Sequence, residues 1–540
     1  MDEYLQKIPR YLARGTNSYQ ENYDVIIIGM GIAGLSCALE CAAERRILLI
    51  SKGREEDCNT YYSQGGIAAA LSEPDSALEH CQDSLRVGGY FGNVENLNIL
   101  TEEAPGAISF LVDNDVVFDR DEEGFLLARE GGHSRRRILR IDGDNTGKGI
   151  LCKLLQKVKK KNNIEIWQES FVVDILSENN TATGVIVSRR GELLEVNASK
   201  VVVASGGMGG IFEPNTNAEC IEGDGMALAF RAGAELTDLE FIQFHPTVFH
   251  HLLGKNFLIS EALRGEGAIL RNHVGERFMP KYAEEAELAG RDIVARAIYA
   301  EMKREESTHV FLDITHKDRT FLEKRFPQIF ARCLECEIDI SRDLIPVFPG
   351  VHYTIGGIKT DAWGRTNVQD LYAVGEVAST GVHGSNRLAS NSLLEGVVFG
   401  RRVAQDINKT ESKAKAVFPG VSKSVGCSES DFESVYADVL RRKAELKRIA
   451  TEALGLIRNR TKLEKAIWYL ESLEKEEGLY PTIPIAWEWQ NMKLVTGLTL
   501  FAALMREESR GTHYREDFPQ ENEQRKHYIF SREGIREEIQ

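Results

Sequence analysis

The clearest hydrophobic pattern near the start of the chain is an apolar run that ends in closely spaced glycines. Residues 25–28 are all β-branched, and such an unbroken run is typical of a parallel strand buried on both faces. The pattern then predicts a helix over residues 35–43 and a second strand over residues 46–50. This order of strand, glycine turn, helix and strand is typical of α/β folds.

The glycines between the first strand and the helix have the spacing GxGxxG. Gly29 permits the tight turn, Gly31 lets a pyrophosphate approach the backbone, and Gly34 lets the helix pack on the strand. The pyrophosphate would then meet the positive end of the helix dipole. The motif therefore predicts dinucleotide binding. An acidic residue usually holds the ribose after the second strand, but here Ser51 and Lys52 follow it, so either a hydroxyl or a later residue takes that role.

Two later apolar runs also lead into glycines, at residues 201–207 and 370–375. We expect both runs to join the first strand in one sheet. The sequence thus predicts a nucleotide-binding domain in two parts, residues 1–240 and 353–410, around a second domain of residues 241–352.

The last part of the chain has a different pattern. Residues 411–431 are rich in Ser and Lys and are predicted to form a linker. Helical periodicity with long charged faces begins at residue 432 and predicts a C-terminal helical domain over residues 432–540.

Composition narrows the function classes. There are 82 Asp and Glu residues against 66 Lys and Arg, which gives a formal net charge of −16. This balance argues against nucleic-acid binding. No apolar run is long enough to span a membrane, and the polar N-terminus does not look like a secretory signal, so we expect a cytoplasmic protein without membrane contact.

The nine cysteines are scattered and odd in number, which does not indicate a disulfide framework. Cys333 and Cys336 form one CxxC pair without a second ligand pair nearby, so we expect helix-face cysteines and no metal site. Residues 119–130 approach the spacing of a calcium-binding EF-hand loop. Because the flanks are predicted as a strand (residues 116–118) and a loop, we interpret this stretch as a hairpin tip.

Eight segments, taken in order, resemble the flavoproteins of the fumarate reductase and succinate dehydrogenase superfamily, and among them the L-aspartate oxidase family most closely. These segments are residues 59–69 (NTYYSQGGIAA), 129–134 (REGGHS), 243–247 (QFHPT), 261–267 (EALRGEG), 291–297 (RDIVARA), 352–357 (HYTIGG), 386–395 (NRLASNSLLE) and 508–514 (ESRGTHY).

The resemblance implies a Rossmann-like FAD-binding domain, an inserted α+β capping domain and a C-terminal helical bundle. It also implies which residues hold FAD: Gly29, Gly31, Ile32, Ala33, Gly34, Ser51, Lys52, Thr60, Ser63, Gln64, Gly65, Gly66, Ser205, Gly206, Gly207, Asp224, Glu376, Ser392 and Leu393. Succinate dehydrogenase flavoproteins bond FAD covalently to a histidine at the position of Asn59. Because an amide cannot form that bond, we expect non-covalent FAD.

The resemblance also implies a dicarboxylate site. Arg387 has a planar fork suited to a carboxylate, and His245, His352 and Ser260 can add donors. Arg291 matches the proton donor of the family, with a relay through Glu261 and Arg264. We rate a purely structural Arg–Glu ion pair as the weaker interpretation.

Glu130 separates the possible substrates. Succinate dehydrogenases have an apolar or aromatic residue at this position. A carboxylate would repel succinate and attract the α-ammonium group of aspartate, and one such contact contributes about 1.5–3 kcal/mol. A surface loop glutamate is the plainer alternative.

These residues predict FAD-dependent oxidation of L-aspartate to iminoaspartate. The resemblance implies that dioxygen or fumarate would accept the electrons and that the product would feed quinolinate and NAD biosynthesis. Quinolinate synthase is the candidate partner. The alternatives are a soluble fumarate reductase or succinate dehydrogenase flavoprotein subunit, and a flavin-binding scaffold without turnover.

Overall fold

The computed structural model describes residues 2–13, 17–19, 21–251, 257–411, 429–476 and 483–540. Its α-helices span Asp2–Lys7, Ile32–Glu40, Asn59–Tyr62, Ala77–Val87, Val94–Glu102, Ala104–Asp113, Thr146–Val158, Asp224–Ala232, Ala262–Gly265, Arg291–Arg304, Arg319–Arg325, Pro327–Glu335, Asn391–Asn408, Glu429–Leu454, Arg460–Glu476 and Pro484–Met505. Its strands span Asn17–Ser18, Tyr23–Ile28, Ile47–Ile50, Ile67–Ala68, Arg120–Asp121, Gly124–Phe125, Ile138–Leu139, Ile164–Trp167, Phe171–Glu178, Thr181–Arg189, Glu192–Val203, Leu236–Thr237, Ile242–Phe249, Ile269–Arg271, Val310–Asp313, Ile345–Thr354, Gly357–Lys359, Leu371–Ala373, Ala378–Ser379, Lys526–Ser531 and Gly534–Ile539.

The apolar runs form one eight-stranded sheet, here called the nucleotide-binding sheet. Tyr23–Ile28 lies between Ile47–Ile50 and Glu192–Val203, and all three strands are parallel. Glu192–Val203 is long enough to pair also with Leu371–Ala373 in parallel and with Thr181–Arg189 in antiparallel. The prediction that the runs near residues 25, 201 and 371 share one sheet is therefore confirmed.

The helix that follows the glycine turn begins and ends earlier than the hydrophobic pattern predicts. It spans Ile32–Glu40 rather than residues 35–43. Gly31 has extended backbone with ψ −179°, and the helix starts directly behind it. The N-terminus of the helix therefore lies at the GxGxxG turn, where a phosphate would bind. At the other end Cys41 returns to extended backbone with ψ 141°.

An antiparallel four-stranded sheet, here called the capping sheet, forms within the segment predicted as the second domain. Its order is Ile242–Phe249, Ile345–Thr354, Val310–Asp313 and Ile269–Arg271. It shares a separate hydrophobic core with helices Arg319–Arg325 and Pro327–Glu335. Sheet and helices together give the α+β character that was expected, while the domain boundaries stay a prediction.

The C-terminal helices Glu429–Leu454, Arg460–Glu476 and Pro484–Met505 pack into the same core as the nucleotide-binding sheet. The helical pattern does not hold to the end of the chain. Lys526–Ser531 and Gly534–Ile539 form a hairpin whose first strand pairs with Leu236–Thr237. Tyr528, Ile529 and Phe530 are consecutive and buried, and this apolar run suits a strand better than an amphipathic helix.

Several smaller expectations are also settled. Arg120–Asp121 and Gly124–Phe125 form a hairpin, as expected for that loop, but residues 116–118 are not a strand. Cys333 lies in helix Pro327–Glu335 and Cys336 directly follows it. Of the predicted linker, residues 412–428 lie outside the described residues. None of the helices in the described part of the chain combines the length and hydropathy of a membrane crossing.

Candidate active site

A cavity of about 680 Å³ runs from the GxGxxG turn to the capping sheet. Most of the residues predicted to hold FAD line it. They are Gly29, Gly31, Ile32, Ala33, Ser51, Lys52, Thr60, Ser63, Gln64, Gly65, Gly66, Ser205, Gly206, Asp224, Glu376, Ser392 and Leu393. Every predicted substrate-binding residue also lines it: Glu130, His245, Ser260, His352 and Arg387.

Two predicted cofactor residues, Gly34 and Gly207, lie outside the cavity lining. A Cβ on Gly34 would stand 2.1 Å from the carbonyl oxygen of Gly29. Gly34 therefore serves the close packing of helix on strand. A Cβ on Gly207 would stand 2.3 Å from Glu376 Oε1, so this glycine leaves room for a side chain that does line the cavity.

The glycine turn after strand Tyr23–Ile28 has the backbone geometry of a phosphate-binding site. Gly29 has φ 117°, which favours glycine, and its Cβ would stand 2.2 Å from the carbonyl oxygen of Ala204. The backbone N–H of Ile32, at the start of the helix, donates to Thr60 Oγ1 over 3.1 Å. The turn, the helix start and Thr60 thus form one wall of the cavity.

Lys52 belongs to an ion-pair network that the sequence did not reveal. Its ammonium lies 2.8 Å from Asp224 Oδ2 and 2.9 Å from Glu488 Oε1, and Glu488 also contacts Lys443 over 2.7 Å. Burial lowers the pKa of Lys52, but the carboxylates of Asp224 and Glu488 outweigh it and raise the pKa above its usual value. Since Glu488 and Lys443 come from the C-terminal helices, those helices orient a residue of the cavity.

Asn59 is held firmly at the cavity wall. Its Nδ2 donates to Asn217 Oδ1 over 2.6 Å and to Glu376 Oε2 over 3.4 Å. The backbone N–H of Ala218 donates to Asn59 Oδ1 over 3.0 Å. Burial raises the pKa of Glu376 to about 7, although hydrogen bonds from Thr354 and Asn59 oppose the shift.

Four buried polar atoms of the cavity-lining residues have no hydrogen-bond partner among the described residues. They are Gln64 Oε1, Ser205 Oγ, His245 Nε2 and Arg387 Nε. Because a buried polar group without a partner is costly, these atoms indicate a polar ligand along the length of the cavity. The glycine turn and this set of donors and acceptors fit FAD together with a small anionic substrate.

Arg387 presents a cation to the cavity and has no direct ion pair with a carboxylate among the described residues, although Glu376 and Glu261 act on it from a greater distance. Its guanidinium carbon lies 4.3 Å from the ring centroid of Tyr353, and its Nη1 donates to Ser392 Oγ over 3.2 Å. Burial, and then Arg291, lower the pKa of Arg387 to about 10, so the group stays charged at neutral pH. A buried cation of this kind calls for an anionic partner.

His245 and His352 are in contact in a T-shaped arrangement, with ring centroids 5.2 Å apart. The backbone N–H of Thr247 donates to His245 Nδ1 over 3.2 Å, so the neutral ring carries its proton on Nε2. Burial, and then Arg291, hold the pKa of His245 well below its usual value. The pKa of His352 is lowered by the same causes. Both rings therefore act as neutral donors or acceptors toward a ligand.

Arg291, Glu261 and Arg264 form a connected chain of side chains, which is compatible with a proton relay and with a structural ion pair. Arg291 Nε donates to Glu261 Oε2 over 2.6 Å, and Arg264 Nη2 lies 3.5 Å from Glu261 Oε1. Gln243 Oε1 accepts from Arg291 Nη1 over 3.1 Å and so orients it. Arg291 and Glu261 line the cavity, whereas Arg264 stands behind them. Burial raises and the two arginines lower the pKa of Glu261, with a net decrease.

Glu130 is a buried cavity residue, 4% exposed, and not a surface loop residue. Ser390 Oγ donates to its Oε2 over 2.7 Å. Burial, and then Glu261, raise the pKa of Glu130. The carboxylate therefore stands in the same pocket as Arg387 and the two histidines.

Sequence reasoning did not select Tyr353, Gln243, Ser390 and Glu488. Tyr353 follows His352, Gln243 lies near His245, and Ser390 lies close to Arg387. Each of the three therefore lies inside a motif already described, and closeness in sequence to a predicted site residue could have pointed to it. Glu488 has no such signal, because only the fold brings its helix to Lys52.

Comparisons with known proteins identify the family of the chain. The family described as "FAD binding domain" matches residues 24–393, and the family described as "Fumarate reductase flavoprotein C-term" matches residues 443–538. The chain is 41% identical to L-aspartate oxidase 1 of Ralstonia nicotianae, over 92% of this chain and 96% of that protein. It is 42% identical to L-aspartate oxidase of Streptomyces coelicolor, over 92% of this chain and 88% of that protein.

A solved structure is similar over nearly the whole chain. The FrdA chain of Escherichia coli quinol fumarate reductase has a TM-score of 0.85 and 28% identity, and the match covers 97% of each chain.

Proposed function

Since the chain belongs to the L-aspartate oxidase family, within the fumarate reductase and succinate dehydrogenase flavoproteins, we propose that it oxidises L-aspartate to iminoaspartate with FAD. Dioxygen or fumarate accepts the electrons, and the product feeds quinolinate and NAD biosynthesis. The observation that carries the choice of substrate is the buried carboxylate of Glu130, in one pocket with Arg387, His245 and His352.

The pocket supplies a partner for each charged group of aspartate. We propose that Arg387, with Nε unpaired, takes one carboxylate together with His352, and that His245 Nε2–H and Ser260 take the other. Glu130 takes the α-ammonium group. Where water is excluded, these preorganised side chains hold Cα in one orientation and need to move little during the reaction.

FAD, when bound, would supply the acceptor for the hydride that leaves Cα. The residues proposed to hold FAD are the seventeen cofactor residues that line the cavity, from Gly29 to Leu393 and without the substrate-binding set, and Asn59 leaves it non-covalent. Loss of one proton from the α-ammonium group and of the hydride from Cα gives protonated iminoaspartate, which releases a second proton to become the neutral imine. Glu130 compensates the positive charge of the ammonium group until the first proton leaves.

In the second half-reaction, with fumarate as the electron acceptor, we propose that Arg291 gives a proton to the carbon opposite the one that receives the hydride. A proton from Arg264 then returns to Arg291 through Glu261, whose Oε2 lies 2.6 Å from Arg291 Nε. The pKa of Arg264 is lowered by burial, an effect that Glu261 opposes. This favours proton transfer through a group that is otherwise a poor acid.

Iminoaspartate must be consumed by a second enzyme, and we propose quinolinate synthase as a partner. Co-elution of the two proteins on size-exclusion chromatography tests this. The cysteines in the described part of the chain are free thiols, which supports a cytoplasmic location.

The deciding experiment is anaerobic mixing of the FAD-loaded protein with L-aspartate. We expect the flavin absorbance near 450 nm to bleach within seconds, at roughly the turnover rates that enzymes commonly reach. Succinate should leave it unchanged, because electrons are proposed to pass from the reduced flavin to fumarate, so electron transfer from succinate to the flavin runs in the unfavourable direction. Bleaching by succinate but not by aspartate would instead identify a succinate dehydrogenase or fumarate reductase flavoprotein. A protein that neither substrate bleaches would be a scaffold.

A further inference from the structure

Ser390 makes the one hydrogen bond that the Glu130 side chain has within the described residues, Oγ to Oε2 over 2.7 Å. The same hydroxyl oxygen accepts from the backbone N–H of Gly66 over 3.2 Å. Because a hydroxyl has a single proton, the acceptance from Gly66 leaves that proton directed at Glu130. Ser390 is itself buried, 7% exposed.

The backbone of Ser390 is strained. Its φ is 62° and its ψ 5°, in the left-handed region, where glycine would be free of strain. Its position is directly before helix Asn391–Asn408. A side chain retained against such strain, with its hydroxyl aimed at a cavity carboxylate, indicates a functional constraint.

The backbone around Ser390 is fixed by contacts that do not use its hydroxyl. The carbonyl oxygen of Ser390 accepts from the N–H of Ala68 over 3.1 Å. The carbonyl oxygen of Ala389 lies 2.9 Å from His133 Nε2, and Asn391 Oδ1 lies 2.8 Å from His80 Nε2. Removal of the hydroxyl takes the acceptor from the Gly66 N–H, but these three contacts remain and should leave the fold intact.

We propose that Ser390 is a positioning residue that determines substrate specificity, because it turns the Glu130 carboxylate toward the α-ammonium group of an amino-dicarboxylate. The inference rests on the proposed oxidation of aspartate. Without the hydroxyl, the carboxylate can rotate away or take up a proton. Dicarboxylates without an ammonium group do not use this contact, so their turnover does not depend on Ser390.

The test is the FAD-loaded Ser390→Gly variant, which removes the hydroxyl and relieves the strain together. We expect kcat/KM for L-aspartate to fall about tenfold, mainly through KM, as for the loss of a hydrogen bond to a charged group. Fumarate reduction with a reduced viologen dye should stay within about twofold. Since the hydrogen bond from Ser390 lowers the pKa of Glu130, its loss should move the acid limb of the aspartate pH profile to higher pH.

Two further variants make the result specific. Asn179→Gly relieves a second positive φ of 47° on an exposed turn and should change neither reaction. In a Glu130→Gln background, Ser390→Gly should cause no further loss with aspartate, because the group that it orients is already neutral.

The inference is overturned if Ser390→Gly lowers aspartate and fumarate turnover equally, leaves both unchanged, or adds its full effect to that of Glu130→Gln. These outcomes are distinct from failure of the proposed function, in which the wild-type protein itself does not oxidise aspartate.

Discussion

At the scale of single residues, Asn59 determines how the flavin is attached. Its amide is engaged by Asn217, Ala218 and Glu376 and offers no nucleophile for a covalent bond. We predict that acid denaturation releases all FAD into the supernatant, which its absorbance will measure. Yellow flavin that stays with the precipitated protein would contradict this prediction.

A second residue-scale prediction concerns Gly131, which packs against Glu261 of the proposed proton relay. A Cβ there would stand 2.2 Å from Glu261 Oε1. Gly131→Ala should therefore displace the Glu261 carboxylate from Arg291. A displacement of about 1 Å can cost roughly a hundredfold in rate, so we expect fumarate reduction to fall by about ten- to a hundredfold, measured with a reduced viologen dye.

FAD content should be unchanged in Gly131→Ala, because Glu261 is at the substrate end of the cavity. Gly106→Ala is the matched control. Gly106 lies in helix Ala104–Asp113, and a Cβ on it would approach only the Arg401 side chain, at 3.8 Å. Equal losses of activity in the two variants would show that the effect is not specific to Glu261.

At the scale of elements, Asp144 joins the nucleotide-binding part to the capping part of the fold. Its carboxylate accepts from the backbone N–H groups of Gln328 and Ile329, each over 3.0 Å, at the start of helix Pro327–Glu335. Loss of such a helix-capping contact costs about 1 kcal/mol. Asp144→Ala should therefore speed hydrogen exchange over Pro327–Glu335 by about fivefold and lower turnover, since closure of the cap excludes water.

The control for this prediction is Asp318→Ala. Asp318 caps the neighbouring helix Arg319–Arg325 through Phe321, but this contact stays within the capping part. We expect faster exchange in that helix with turnover preserved. If Asp144→Ala leaves exchange in Pro327–Glu335 unchanged, the contact does not hold the cap.

The same scale shows which elements a sequence can predict. The strand, turn and helix around Gly29 were predictable because an apolar run and three glycines allow few other structures. The helix start was misplaced because it depends on the turn, where polar and apolar periodicity gives no signal. The C-terminal hairpin was missed because its apolar run of residues 528–530 is short. Its first strand also pairs with Leu236–Thr237, a partner that is remote in sequence.

At the scale of the whole molecule, the candidate site is a convergence of distant segments. The resemblance that the motifs carry implied which residues would meet, whereas each motif by itself specifies only the chemistry of a few neighbouring residues. Contacts that cross between motifs were not predictable. Glu488 reaches Lys52 and Ser390 reaches Glu130 only through tertiary packing, which leaves no local pattern.

The continuous cavity leads to a prediction for the entire chain. FAD should slow hydrogen exchange in four segments that line the cavity, residues 28–33, 50–66, 204–225 and 374–396. At a free concentration about 100 times Kd, exchange that requires FAD release should slow by up to about 100-fold. Helix Arg460–Glu476 and strand Lys526–Ser531 do not line the cavity and should exchange at unchanged rates. Protection confined to residues 28–66 would mean that FAD does not extend along the cavity to the residues around Arg387, and the proposed position of the substrate beside the flavin would then be wrong.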